Sequence, residues 1–135
     1  MLNESIRQTL RPIGLLVLRV VAGATMIYGH GWGKFQKFIS GDWSFADPIG
    51  LGEGVSLGLA AGAEFGAALL VVLGLATRVA VLPLVITMLV AALIVHAGDP
   101  FGDKELAIVY AAMFLSLFFT GPGRISLDHL FGLEE

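Results

Sequence analysis

The sequence has 135 residues, of which 56% are hydrophobic and only 14% are charged, and its formal net charge is −3. Soluble domains carry about 25% charged residues, so this composition indicates a membrane domain rather than a large soluble core. The negative charge and the lack of a basic stripe argue against a nucleic-acid partner. The sequence contains no cysteine, which excludes disulfides and thiolate metal ligands within the chain.

Four apolar stretches follow a polar lead of residues 1–12, and each predicts one membrane helix: residues 13–35, 55–76, 79–97 and 104–120. The lead ends in Arg11-Pro12, where proline suits the first helical turn. The turn at Thr77-Arg78 is too short to cross a membrane, so the second and third helices form an antiparallel hairpin. We therefore predict an all-α fold: a single domain over 1–135, built as an integral membrane four-helix bundle with up-down topology.

The distribution of basic residues predicts the orientation. Four spans place both termini on the same side. The side with the termini has four flanking arginines, and the other side has three flanking lysines: Arg7, Arg11, Arg78 and Arg124 against Lys34, Lys37 and Lys104. Because flanking Lys and Arg prefer the cytoplasm, both termini are predicted to be cytoplasmic.

Glycines recur every fourth residue in the second predicted helix, at Gly54, Gly58, Gly62 and Gly66. Small residues at this spacing let a second helix backbone approach closely in a membrane. We predict that these glycines pack against another helix of the bundle, with a partner protein as the alternative.

Arg19 and Glu64 are charged residues inside apolar stretches. A charge at mid-membrane costs at least about 2.5–3.5 kcal/mol, so each needs a partner. One interpretation is a structural ion pair between the first two helices. The other is a site for a quinone head group or a proton.

His30 and His96 form a second candidate pair. At 1.5 Å per residue, both lie about 26 Å from the cytoplasmic edge, so they share a level near the outer surface. Two imidazoles at one level could contact a quinone or ligate haem b, with Lys34 at the outer rim, or they could be ordinary interfacial histidines. Two such residues make a poor zinc site, and no metal site is predicted.

Several short motifs make the chain resemble the DoxX family of small four-span membrane proteins of bacteria and archaea. The markers, in order, are Arg19-x-x-x-Gly23, Gly29 with Gly33-Lys34, Glu64-Phe65-Gly66, Leu73-Gly74-Leu75-Ala76-Thr77-Arg78 and Gly121-Pro122-Gly123-Arg124-Ile125-Ser126-Leu127-Asp128. The resemblance implies a multi-pass protein of the cytoplasmic (inner) membrane in a redox setting. A related branch supplies a subunit of thiosulfate:quinone oxidoreductase.

The resulting hypothesis is a membrane subunit of a quinone-linked oxidoreductase, acting as membrane anchor or quinone-contact subunit. Its partners would be the lipid bilayer and either redox subunits or further copies of the chain. No covalent cofactor is predicted, and a quinone is favoured over haem b. The alternative is a structural, scaffolding or transport protein with no redox role. The sequence leaves open whether the chain is an enzyme and identifies no catalytic residue.

Overall fold

The computed structural model describes residue 1 and residues 3–133. This described part of the chain contains helices and no strand, which confirms the all-α prediction. Its helices are α1 Glu4–Ile39, α2 Glu53–Leu73, α3 Thr77–Val95, α4 Phe101–Thr120 and the short α5 Leu127–Leu130.

Three helices, α1, α2 and α3, are long and apolar enough to cross a membrane. They correspond to the first three predicted spans. The fourth helix, α4, has 20 residues, but Asp103, Lys104 and Glu105 lie near its start. Its apolar part is therefore shorter, and its assignment as a fourth span stays a prediction.

The first helix begins well before the predicted start at residue 13. α1 starts at Glu4, and the side chain of Asn3 caps it by accepting a hydrogen bond from the amide of Ser5. A side-chain cap and an acid in the first turn both stabilise a helix N-terminus. Pro12 consequently lies inside α1, and the prediction that it occupies the first turn is wrong.

Buried apolar side chains from all four long helices form one core. Its members are Ala22 and Met26 of α1, Ala63, Ala67, Ala68 and Val71 of α2, Ala80, Val81, Leu84 and Met88 of α3, and Tyr110, Ala111, Phe114 and Leu117 of α4. α3 packs along α4, and α1 packs along α2. Alanine dominates the α2 part of the core, so the neighbouring helices can lie close to it.

Two glycines of α1 lie close against α2. A Cβ at Gly31 would overlap the main-chain carbonyl of Glu64. A Cβ at Gly23 would lie 2.6 Å from Cγ2 of Val72 and 3.0 Å from the carbonyl oxygen of Ala68. Small residues are therefore required on α1 where it crosses α2.

The glycine series of α2 does not make that approach. An added Cβ at Gly62 or Gly66 would meet no described atom of a neighbouring element within 4 Å, while Gly54 and Gly58 face the rings of Trp43 and Phe38. The predicted packing against another helix of this chain is therefore not seen at Gly62 and Gly66, while Gly58 meets α1 through the ring of Phe38. A fourfold period shows that the glycines share one face, but it does not show which face meets a helix. Packing against a partner protein stays a prediction.

Candidate functional site

Four of the candidate side chains line one cavity of about 420 Å³. His30 and Lys34 come from α1, Glu64 from α2, and His96 from the residue that follows α3. The wall is otherwise largely apolar and includes Phe45, Ile49, Leu59, Ile86, Met88 and Leu106. We call this space the polar cavity. Arg19 does not line it.

A π-helical turn lies at the polar cavity in each of the three helices that contribute these side chains. The turns are Ile27–Gly31, Gly62–Ala67 and Ala91–Val95. They contain His30 and Glu64 and directly precede His96. A π turn inserts an extra residue, which rotates the following side chains to a new face, and such turns are frequent at functional sites. No local sequence signal predicts them.

Lys34 and Glu64 form a salt bridge across the wall of the cavity. Nζ of Lys34 lies 2.5 Å from Oε2 of Glu64, and their side chains are 25% and 5% exposed. The carboxylate is therefore buried beside its cation. The prediction placed Lys34 at the rim and paired Glu64 with Arg19; in the structure Lys34 takes the role assigned to Arg19.

The two histidines are both partly buried but have different neighbours. The ring of His30 meets Tyr110 edge-on, with centroids 5.8 Å apart and planes at 87°. Nδ1 of His96 lies 2.7 Å from a carboxylate oxygen of Asp99. That contact orients the His96 ring, and Nε2 is the ring nitrogen that Asp99 does not contact. Within residue 1 and residues 3–133, no group of three or more His, Cys, Asp or Glu side chains could hold a metal ion.

Tyr110 belongs to the cavity but was not among the predicted residues. It is 6% exposed, and its hydroxyl donates a hydrogen bond of 2.9 Å to Oγ1 of Thr25. A buried tyrosine hydroxyl needs such a partner. A tyrosine inside the apolar part of α4 was the available signal for it.

The loop that covers part of the cavity is held by Asp47. One carboxylate oxygen accepts hydrogen bonds from the Leu51 amide and the Ser56 hydroxyl, and the other accepts from the Gly52 amide. These donors, the Ser56 hydroxyl foremost, lower the pKa of Asp47 below its ordinary value of 3.8. The loop residue Phe45 lines the cavity, so Asp47 fixes one of its walls.

Arg19 binds main-chain oxygens near the other end of the bundle. Its guanidinium donates to the carbonyls of Val72 at 3.3 Å, Pro122 at 2.9 Å and Ile125 at 2.8 Å. Val72 lies in the last turn of α2, where carbonyls lack helical partners and attract cations. The predicted Arg19–Glu64 pair is therefore wrong. Each residue is buried, at 2% and 4% exposure, but they have separate partners.

Asp128 stabilises the same region. The sequence identified it only as the last residue of a family motif. Its carboxylate accepts hydrogen bonds from the amides of Ala76, at 2.6 Å, and Thr77, at 2.9 Å, and its own amide donates to the carbonyl of Gly74. Ala76 has a φ of +48°, a conformation that costs a non-glycine residue free energy. Asp128 thus caps the start of α3 and holds this turn in place.

Comparison with known proteins finds a matching family and relatives of similar length. The DoxX family model matches residues 14–97. An uncharacterized protein of Haemophilus influenzae is 34% identical over 132 residues, covering 90% of this chain and 92% of that protein. "Inner membrane protein YqjF" of Escherichia coli is 30% identical over 125 residues, covering 90% of this chain and 94% of its own. "Putative oxidoreductase CatD" of Bacillus subtilis is 33% identical over 117 residues, covering 86% and 85%. No solved structure matches the chain.

Proposed function

The chain belongs to the DoxX family of membrane proteins, and from this premise we propose that it is the quinone-contact and anchoring subunit of a redox assembly. The observation that carries the proposal is the polar cavity, which is lined by His30, Lys34, Glu64 and His96. The name of the Bacillus subtilis relative, "Putative oxidoreductase CatD", supports a redox role.

The donor set of the cavity suits a quinone head group. A quinone ring offers two carbonyl acceptors on a flat apolar frame, so its site needs polar donors and apolar walls. His30, His96 and Lys34 supply nitrogen donors. Ile86 and Met88 supply apolar wall. The residues present therefore fit a quinone, which would supply the two-electron chemistry when bound.

The Lys34–Glu64 salt bridge holds a cation at the wall of the cavity. A quinone carbonyl oxygen that gains negative charge would attract the Lys34 ammonium group. In this proposal Lys34 and the histidines bind and orient the head group, while Glu64 positions Lys34.

Electrons would come from a partner subunit. The sequence contains no cysteine to ligate an iron–sulfur cluster, so we assign the electron-carrying centre to the partner. We place the chain in the cytoplasmic membrane with α4 as its fourth span and both termini cytoplasmic, as the arginine distribution predicts.

Quinone content of the purified protein tests the proposal. Lipid-soluble cofactors are extracted from the wild type and from Glu64→Gln, His96→Ala and His129→Ala, and quinone is quantified per mole of protein. We expect the two cavity variants to retain at least about tenfold less quinone, a loss of about 1.4 kcal/mol of binding. His129→Ala is the matched control because His129 lies on α5 and does not line the cavity.

Two results would contradict the quinone proposal. One is equal quinone content in all four proteins. The other is no quinone in any of them, together with no binding of an added short-chain quinone. Folded but quinone-free protein would favour the structural or transport alternative. A Soret band that His96→Ala abolishes would instead assign the histidines to haem b.

A further inference from the structure

A second cavity lies at the other end of the bundle, apart from the polar cavity. It has a volume of about 640 Å³ and lies between the N-terminal half of α1, the turn that joins α2 to α3, and the segment after α4. Three arginines line it: Arg11 of α1, Arg78 in the first turn of α3, and Arg124 after α4. We call it the arginine cleft.

The charge of the cleft favours an anion. Its three guanidinium groups face one carboxylate, that of Asp128. Both oxygens of Asp128 already accept hydrogen bonds from the amides of Ala76 and Thr77. Nε of Arg78 donates to the carbonyl of Phe118, which fixes this side chain at the cleft. The residues that line the cleft therefore carry more basic than acidic side chains.

Thr77 provides an independent indication of a ligand. Its side chain is fully buried and lines the cleft, and its Oγ1 is a buried polar atom with no hydrogen-bond partner among the described residues. A buried hydroxyl without a partner is destabilising. Thr77 opens α3, a helix N-terminus where the dipole favours negative charge. A ligand oxygen at this position would satisfy the hydroxyl.

The walls of the cleft indicate where the anion comes from. Pro12, Leu15 and Val79 line it, and Val79 is 70% exposed. This apolar wall joins the exposed apolar surface of α1, on which Ile13 is 46% exposed and Val17 is 55% exposed. A phosphate with attached hydrocarbon would match both the arginines and this wall. We propose that the arginine cleft binds the phosphate group of an anionic phospholipid.

Thermal unfolding of the full chain in mild detergent tests this proposal. Phosphatidylglycerol, phosphatidylcholine or inorganic phosphate is titrated into the wild type, an Arg11→Gln/Arg124→Gln variant and Arg7→Gln. Arg7 is the matched control because it is exposed on the same helix, one turn before Arg11, and does not line the cleft. We expect phosphatidylglycerol to raise Tm in the wild type and in Arg7→Gln. In the Arg11→Gln/Arg124→Gln variant, the apparent affinity for phosphatidylglycerol should fall about fivefold for each arginine removed.

Thr77→Val separates ligand contact from a purely structural role. In phosphatidylcholine this variant should be as stable as the wild type or more stable, because the change removes an unsatisfied hydroxyl. Its affinity for phosphatidylglycerol, measured by native mass spectrometry, should fall severalfold. Equal phosphatidylglycerol affinity in Thr77→Val and the wild type would overturn the role of the hydroxyl.

The remaining outcomes decide the source of the anion. Equal stabilisation of the double arginine variant and Arg7→Gln by phosphatidylglycerol would overturn the cleft as a site. Stabilisation by inorganic phosphate alone, lost in the double variant, would overturn the lipid and assign the cleft to a soluble phosphate compound. Equal effects of phosphatidylcholine and phosphatidylglycerol would show that the anionic head group is not recognised.

Discussion

Replacing Lys34 and Glu64, singly and together, tests whether this pair governs the polar cavity. Lys34→Met leaves the Glu64 carboxylate, 5% exposed, without its cation. Stranding one member of a buried pair typically costs about 3–5 kcal/mol. Glu64→Leu instead strands Lys34, which is 25% exposed and therefore better hydrated, so we expect a smaller loss of about 1–2 kcal/mol.

The double variant should recover much of this loss, because neither charge is then left alone. We expect a coupling free energy of at least about 2 kcal/mol between the two positions. The assay is chemical unfolding in mild detergent, with the free energy of unfolding determined for all four proteins of the cycle.

A second cycle, Arg19→Met with Glu64→Leu, is the matched control. Lys34, which bonds Glu64, lies fifteen residues beyond Arg19 on α1, or about 22 Å along the helix axis. Arg19→Met also removes the donor from three main-chain carbonyls, at about 1–3 kcal/mol each before relaxation. Because Arg19 and Glu64 share no partner, their losses should add within about 0.5 kcal/mol. Additivity in the Lys34 cycle, or coupling in the Arg19 cycle, would refute this assignment of partners.

Two further predictions concern helix packing and the loop. Gly31→Ala should lower the free energy of unfolding by about 1–3 kcal/mol, because its Cβ would overlap the Glu64 carbonyl. The same change at Gly62, where the space is open, should be neutral or stabilising by up to about 1 kcal/mol; a similar loss at both sites would contradict the packing. The pKa of Asp47 is lowered from 3.8, so its stabilisation is present above pH 3.8 and is lost as the pH falls through the lower folded value. Hydrogen exchange at the Leu51 amide, after correction for the intrinsic rate, should therefore accelerate in acid, and Asp47→Asn should remove that dependence.

The sequence predicted the positions of the helices better than the partners of their buried charged residues. Long apolar stretches between turn residues are strong signals, so α1, α2 and α3 were found with ends shifted by a few residues, except at the start of α1. Rise per residue also placed His30 and His96 at one level, and the structure lines one cavity with both. These inferences need only local patterns and helix geometry.

Partners of buried charges depend on features that a single sequence does not carry. Arg19 binds main-chain carbonyls, which every residue possesses, so no side-chain pattern pointed to them. The π turns that place His30 and Glu64 likewise have no local signature. Gly23 and Gly31 were visible in the sequence, but the regular series on α2 was the stronger pattern, and its members Gly62 and Gly66 meet no neighbouring helix in the described part of the chain.

The family markers divide unevenly between the two ends of the bundle, and this limits what family membership implies. Arg19, the turn of residues 73–78 and the segment of residues 121–128 are joined by hydrogen bonds to main-chain groups. These contacts hold α1, α2 and the C-terminal segment together, so they serve the fold whatever the reaction. Of the markers, only Lys34 and Glu64 reach the polar cavity. Because function depends on the site rather than the fold, two relatives can share most markers and still differ in what this cavity binds.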